Sequence, residues 1–160
     1  MAALGGIRPD DGLTDVLTAF PKNAGPLLRL LNRIMCDEGA LTRGEREAIA
    51  AHVSALNDTP YCIFYHEMFS EAFSGPVAAT NERIAPLLAY ARSLKDGTPG
   101  EIAAAADAAL GAGWSEQALF EVVEVSGVFD FINRVVRAAG LKRPECRPEP
   151  APTAAELQDS

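Results

Sequence analysis

The sequence predicts an all-α protein. Apolar residues recur at helical spacing in one segment after another, no stretch alternates apolar and polar residues as a half-buried strand does, and the segments are bounded by caps and breakers. About six to seven helices are expected in one domain, because 160 residues with 48% hydrophobic content suffice for one core and not for two. No glycine-rich phosphate loop follows a strand pattern, so no nucleotide-binding fingerprint is present.

The elements follow in order. The first dozen residues are rich in Gly and Pro and read as a loose arm, and Leu13 to Phe20 as a short helix broken by Pro21 and Gly25-Pro26. From Leu27 to about Glu38 the residues Leu27, Leu28, Leu30, Leu31, Ile34 and Met35 keep helical spacing, with Cys36 inside the helix and Gly39 as its C-cap. Thr42 opens the next helix, Glu45 completes a capping box, and Ala48, Ile49, His52, Val53 and Leu56 form its apolar side up to Asn57-Asp58.

Pro60 has no N–H and a fixed φ, so it suits a first helical position, and it biases Thr59 towards the extended conformation of an N-cap. That helix runs to about Ser74 and is closed by Gly75-Pro76. Ile84 to Lys95 is amphipathic and stops at Asp96-Gly97. Glu101 to Leu110 is alanine-dense, which favours helix by intrinsic propensity, and Gly111 and Gly113 end it. Ser115 caps a long last helix that passes through Phe120, Val123, Val128, Phe131, Ile132 and Val135 to Gly140. Residues 143–160 form a proline-rich tail with too little apolar surface to offset its ordering entropy, and disorder is expected there. The chain thus divides into an arm and short helix (1–24), a helical domain (25–142) and the tail.

Composition narrows the function. A net charge of −8 disfavours nucleic acid and anionic membrane surfaces. Three cysteines, Cys36, Cys62 and Cys146, do not make a secreted disulfide framework, and no window reaches the length of a membrane span, so a cytoplasmic protein is expected.

The chemistry concentrates between Glu47 and His66. Cys62 falls in the first turn of the helix begun at Pro60, where unpaired N–H groups and the helix dipole favour a thiolate, so a lowered pKa is expected. His66 lies four residues on, on the same face, as a proton acceptor or donor for the sulfur. Each residue also has a plainer reading. Cysteine is among the most buried residue types, an isolated histidine can simply bond a backbone carbonyl, and acids are favoured in early helical turns whatever their role. His52 lies about 140° round the helix from Glu47 and is read as structural. Two ligands at i and i+4 fall short of a zinc site, so no metal and no cofactor is expected. Tyr61 and Tyr65, with Thr59, are candidates for a substrate pocket, while Phe64, Met68 and Phe69 read as core or pocket wall.

Glu47, eleven residues, Thr59, Pro60, Tyr61, Cys62, three residues and His66 resemble the E-x11-C-x2-C-x3-H motif of the alkylhydroperoxidase D-like and carboxymuconolactone decarboxylase superfamily. The run Leu41-Thr42-Arg43-Gly44-Glu45-Arg46-Glu47 and the segment Phe131-Ile132-Asn133-Arg134 resemble the same family, and the likeness spans roughly residues 25 to 142. Thr59 stands where the redox-active members carry their first cysteine, so their catalytic disulfide cannot form at this site. The resemblance implies a helical homo-oligomer, a trimer or hexamer. It also implies a thiol peroxidase-like enzyme that reduces a small hydroperoxide through Cys62, with His66 and Glu47 as proton relay and an external thiol, Cys36 or Cys146 as reductant. The alternatives are a non-redox, lactone decarboxylase-like enzyme acting on a small organic acid, and a catalytically silent oligomeric binding module.

Overall fold

The structure, a computed structural model, describes Leu4 and residues 6–8 and 10–158; the expected N-terminal arm lies in part outside the described residues. Among the described residues there are nine α-helices, one 3-10 turn at Pro21–Asn23 and no strand. The helices are α1 (Leu13–Ala19), α2 (Ala24–Cys36), α3 (Arg43–Leu56), α4 (Pro60–Ser74), α5 (Val77–Arg83), α6 (Ala85–Asp96), α7 (Pro99–Gly111), α8 (Glu116–Ala139) and α9 (Ala154–Gln158).

The all-α expectation holds, but six to seven helices is too few. One addition, α5, is separated from α6 by Ile84 alone. Pro86, in the first turn of α6, has no N–H to give the carbonyl of Glu82 four residues back, so the two cannot run as one helix. The other is α9, a five-residue helix in the tail that packs on α4. The tail also meets α4 through an Arg147–Glu71 ion pair and through the Arg143 guanidinium 5.1 Å from the Phe64 ring centre.

Local chemistry accounts for most boundaries. Thr42 accepts from the Glu45 N–H while the Glu45 carboxylate accepts from the Thr42 N–H at 2.7 Å, the expected capping box. The same box recurs at Thr98 and Glu101 and starts α7 two residues ahead of the expected Glu101. Ser115 caps α8, and Gly140 closes it at φ 69°, a left-handed conformation that a side chain disfavours. Two expected caps are corrected. Helix α2 ends at Cys36 with the extended Asp37 as C-cap, not at Gly39. Thr59 precedes Pro60 as foreseen but makes no side-chain cap; its hydroxyl donates to the Asn57 carbonyl at 3.1 Å.

Helix α3 is the hub, packed against α4, α8 and α6 and touching α2 and α5. Being surrounded, it buries ten of its fourteen residues, Glu45, Arg46 and Glu47 among them, rather than a single apolar stripe. Helix α8 spans about 36 Å at 1.5 Å per residue and lays Val122, Val125, Phe129, Ile132 and Val136 on this hub, joined by Ile49, Val53, Ile84 and Leu87. Gly44 lets α3 and α4 touch: a methyl group there would fall 2.7 Å from the Ser74 Cβ and against the Ser74 hydroxyl, and the Gly44 carbonyl accepts from Ser70 Oγ at 3.0 Å.

One buried ion pair fixes the segment between α2 and α3. Glu121 of α8 accepts from the N–H groups of Ala40 (2.7 Å) and Leu41 (3.0 Å) and from Arg46 Nη2 (3.0 Å), and Arg46 also donates to the Asp37 carbonyl. Gly39 lies flat on this pair, since a Cβ at that position would collide with both side chains. Its smallness serves packing, not capping.

Burial alone would raise the Glu121 carboxyl, but the backbone donors, Arg46 and Gln117 bring it net below its usual range. We expect Glu121→Gln, which strands the buried Arg46 charge, to cost about 3–5 kcal/mol at neutral pH. A carboxyl with a lowered folded-state pKa stabilises fully above its unfolded value and loses that contribution as pH falls through the folded one. The wild type should therefore lose stability towards acid more steeply than Glu121→Gln; parallel denaturant-midpoint profiles below about pH 5 would contradict this.

Candidate active site

Helices α3 and α4 are joined by a three-residue turn, Asn57 to Thr59, and lie side by side, so residues on their facing sides converge. Glu47 of α3 and His66 of α4 meet there. The Glu47 carboxylate is 3% exposed, and its Oε2 is 2.7 Å from His66 Nδ1. A carboxylate only accepts, so Nδ1 carries the proton in this bond, and Nε2 of the neutral ring is left to take one up. The imidazole is gripped by the Phe129 ring, edge to face at 4.3 Å, and by Phe69 at 6.1 Å.

Glu47, Cys62 and His66 line one cavity of about 620 Å³. This lies within the roughly 300–1,000 Å³ typical of small-molecule sites. The wall is mainly apolar, with Leu28, Leu31, Met35, Phe69 and Ile132 on it, and Tyr61 and Tyr65 contribute as expected. Tyr61 has its hydroxyl engaged, accepting from the Leu13 N–H at 3.2 Å, which pins α1 to α4; burial, the larger influence, pushes its pKa up to about 12. Thr59, the third pocket candidate, is fully buried and lies outside the cavity lining. His52 is also off the cavity, and burial with the nearby Arg92 charge lowers its pKa.

The thiol differs from expectation. Cys62 sits in the first turn of α4, but it is 4% exposed and belongs to the main core cluster. Burial pushes its pKa up to about 11, with hydrogen bonding to Asn133 only partly offsetting it. The cause is burial: the low dielectric around the sulfur disfavours the charged thiolate. Among the described residues no hydrogen bond joins Cys62 to His66.

Sequence reasoning passed over two residues. Asn133 of α8 is 1% exposed, donates to Ser54 Oγ at 3.1 Å and accepts from Asn57 Nδ2 at 3.0 Å, so it is held rigidly beside the thiol. Arg43, one turn before Glu47 on α3, also lines the cavity, with its Nε 3.7 Å from Glu47 Oε1. An i, i+4 spacing from Glu47 was the available signal for it. Cys36, at the end of α2, lines the same cavity, whereas Cys146 is exposed in the tail; all three cysteines are free. Among the described residues no group of three or more His, Cys, Asp or Glu is placed to hold a metal ion, and no helix is long and apolar enough to cross a membrane.

In the ligand-free protein, alkylation of Cys62 should accelerate only as pH rises towards about 11, measured by mass spectrometry peptide by peptide. A rate that already levels off near neutral pH would show a stabilised thiolate instead. Asn133→Ala, which removes a donor to the thiolate, should move the profile further up.

No family model matches the chain, and no curated protein matches it. Among solved structures it is similar to the alkylhydroperoxidase AhpD core of an uncharacterized peroxidase-related protein from Ralstonia eutropha JMP134, at 18% identity over 81% of this chain and 74% of that one, with a TM-score of 0.68. It is likewise similar to an uncharacterized peroxidase-related protein from Silicibacter sp. TM1040, at 18% identity over 90% of this chain and 92% of that one, with a TM-score of 0.67. At this identity the likeness concerns architecture, and on it the chain shares the all-helical fold of the alkylhydroperoxidase AhpD core.

Proposed function

We propose that the chain is a peroxidase-type enzyme of the alkylhydroperoxidase D-like superfamily, which reduces small organic hydroperoxides at Cys62. The observation that supports this reading most is that Cys62, His66 and Glu47 line a single cavity, with His66 oriented by a 2.7 Å bond to a buried carboxylate. At a pKa of about 11 only about one thiol in ten thousand is ionised at neutral pH. The resting enzyme therefore holds a thiol, and His66 Nε2 takes its proton as the peroxide binds. The sulfur attacks one peroxide oxygen, the O–O bond breaks, Cys62 becomes a sulfenic acid, and His66 returns the proton to the leaving alkoxide to give an alcohol. With Thr59 in place of the first motif cysteine, an external low-molecular-weight thiol condenses with the sulfenic acid, releasing water. A second thiol then frees Cys62 and leaves as a disulfide.

The raised thiol pKa favours one competing reading, in which His66 and Glu47 perform acid–base chemistry on a small organic acid and Cys62 only packs. Trapping of sulfenic acid after stoichiometric cumene hydroperoxide separates the two. We expect modification at Cys62 that slows by about 10²–10⁴-fold in His66→Ala and is absent in Cys62→Ser. A Cys62 that stays reduced, in a protein that still melts cooperatively, would remove the peroxidase reading and leave the acid–base one.

A homo-oligomer is part of the proposal. Phe120, Val123 and Phe131 lie within about 80° of one another round α8, and all three are exposed, Phe120 at 58% and Phe131 at 51%. Exposed apolar side chains on one face are what a subunit interface covers. Sedimentation should give a trimer or hexamer that dissociates in Phe120→Glu/Phe131→Glu; a wild-type monomer at tens of micromolar would refute it.

A further inference from the structure

Among the described residues the Arg43 guanidinium lines the cavity as a cation with no hydrogen bond. Its side chain is 22% exposed, and its Nε is buried without a partner. Its nearest anion, Glu47 Oε1, stands at 3.7 Å, beyond hydrogen-bonding range, because the other carboxylate oxygen is drawn to His66 at 2.7 Å. On its other side the guanidinium is stacked on Phe73, 4.6 Å from the ring centre, which fixes its plane without using its N–H groups. A rigid fork of donors with no acceptor, at the edge of an apolar chamber, is the arrangement that receives a carboxylate bidentately.

We propose that the cavity takes amphipathic monocarboxylic acids, with the carboxylate on Arg43 and the hydrocarbon chain along the wall formed by Leu28, Leu31, Met35 and Phe69. Glu47 already offsets the Arg43 charge, so the attraction for an added carboxylate comes from the free guanidinium N–H donors and not from net charge. Leu157 and Gln158 of α9 line the same chamber and close its wall on the tail side. This names the substrate class of the site above, and it rests on the peroxidase reading only in that the physiological acid would carry a hydroperoxide group; binding of the acid itself does not need Cys62.

The test uses decanoate, which has no peroxide group, against 1-decanol, which has the same chain and no charge, by calorimetric titration of the full chain. Wild-type protein should bind decanoate about tenfold or more tightly than decanol, the scale of one charge-assisted hydrogen-bonded pair. Arg43→Gln should erase that preference while decanol affinity stays within about twofold, and Arg43→Lys should keep part of it. Wild-type protein that binds decanoate with this preference yet forms no sulfenate at Cys62 would mark failure of the peroxidase reading alone, whereas sulfenate formation without the preference would mark failure of this one. Equal affinities for decanoate and decanol in the wild type would overturn the proposal, without recourse to any variant. So would a preference that survives Arg43→Gln.

Discussion

The close contact of α3 with α4 at Gly44 governs the geometry of everything chemical in this protein. Two helices with ordinary side chains between them pack 8–10 Å apart, within a range of about 2 Å set by the residues at the contact. Here the glycine admits Ser74 and lets Ser70 bond the α3 backbone, and three residues on Glu47 reaches His66 across the same interface. A shift of one ångström at Gly44 would be felt directly in a hydrogen bond of 2.7 Å.

Helix α3 carries four charged residues; Glu45 caps the helix and pairs with Arg83, while Arg43, Arg46 and Glu47 serve three different neighbours. Arg46 points to α8 and is consumed by Glu121, with the turn before α3 tied to the same carboxylate. Glu47 points to α4 and orients His66. Arg43, at the first turn, faces the cavity and keeps its donors free. The buried Arg46–Glu121 pair stabilises the frame, whereas Arg43, Glu47 and His66 line the cavity; the neighbour each side chain meets, not its depth, separates the two groups. The second polar cluster, Ser54, Asn57, Asp130 and Asn133, links the end of α3 to α8 and brings Asn133 to the thiol.

Much of the fold was legible because helix boundaries are local events. Thr42 with Glu45, Pro60, Ser115 and Gly140 mark ends whose physics involves only the nearest few residues. Where the reading slipped, the cause lay further off or was a local signal left unused. Pro86 and the Thr98–Glu101 box were there to be used. Gly39 reads as a cap because glycine after a helix commonly is one, and only the packing of the Arg46–Glu121 pair beneath it reveals why the residue must be small.

By itself the sequence determined the helical content, the bounds of α3, α4 and α8 and the i, i+4 placement of Cys62 and His66, since these depend on backbone geometry over one or two turns. Tertiary structure alone decided three other matters. It brought Glu47 to His66 across two helices, it set Asn133 beside the thiol and Arg43 on the cavity wall, and it turned the expected low-pKa thiol into one pushed up to about 11. The reason is common to all three: the strength of an electrostatic interaction depends on distance and on the water excluded around it, and both are products of packing between segments far apart in the chain.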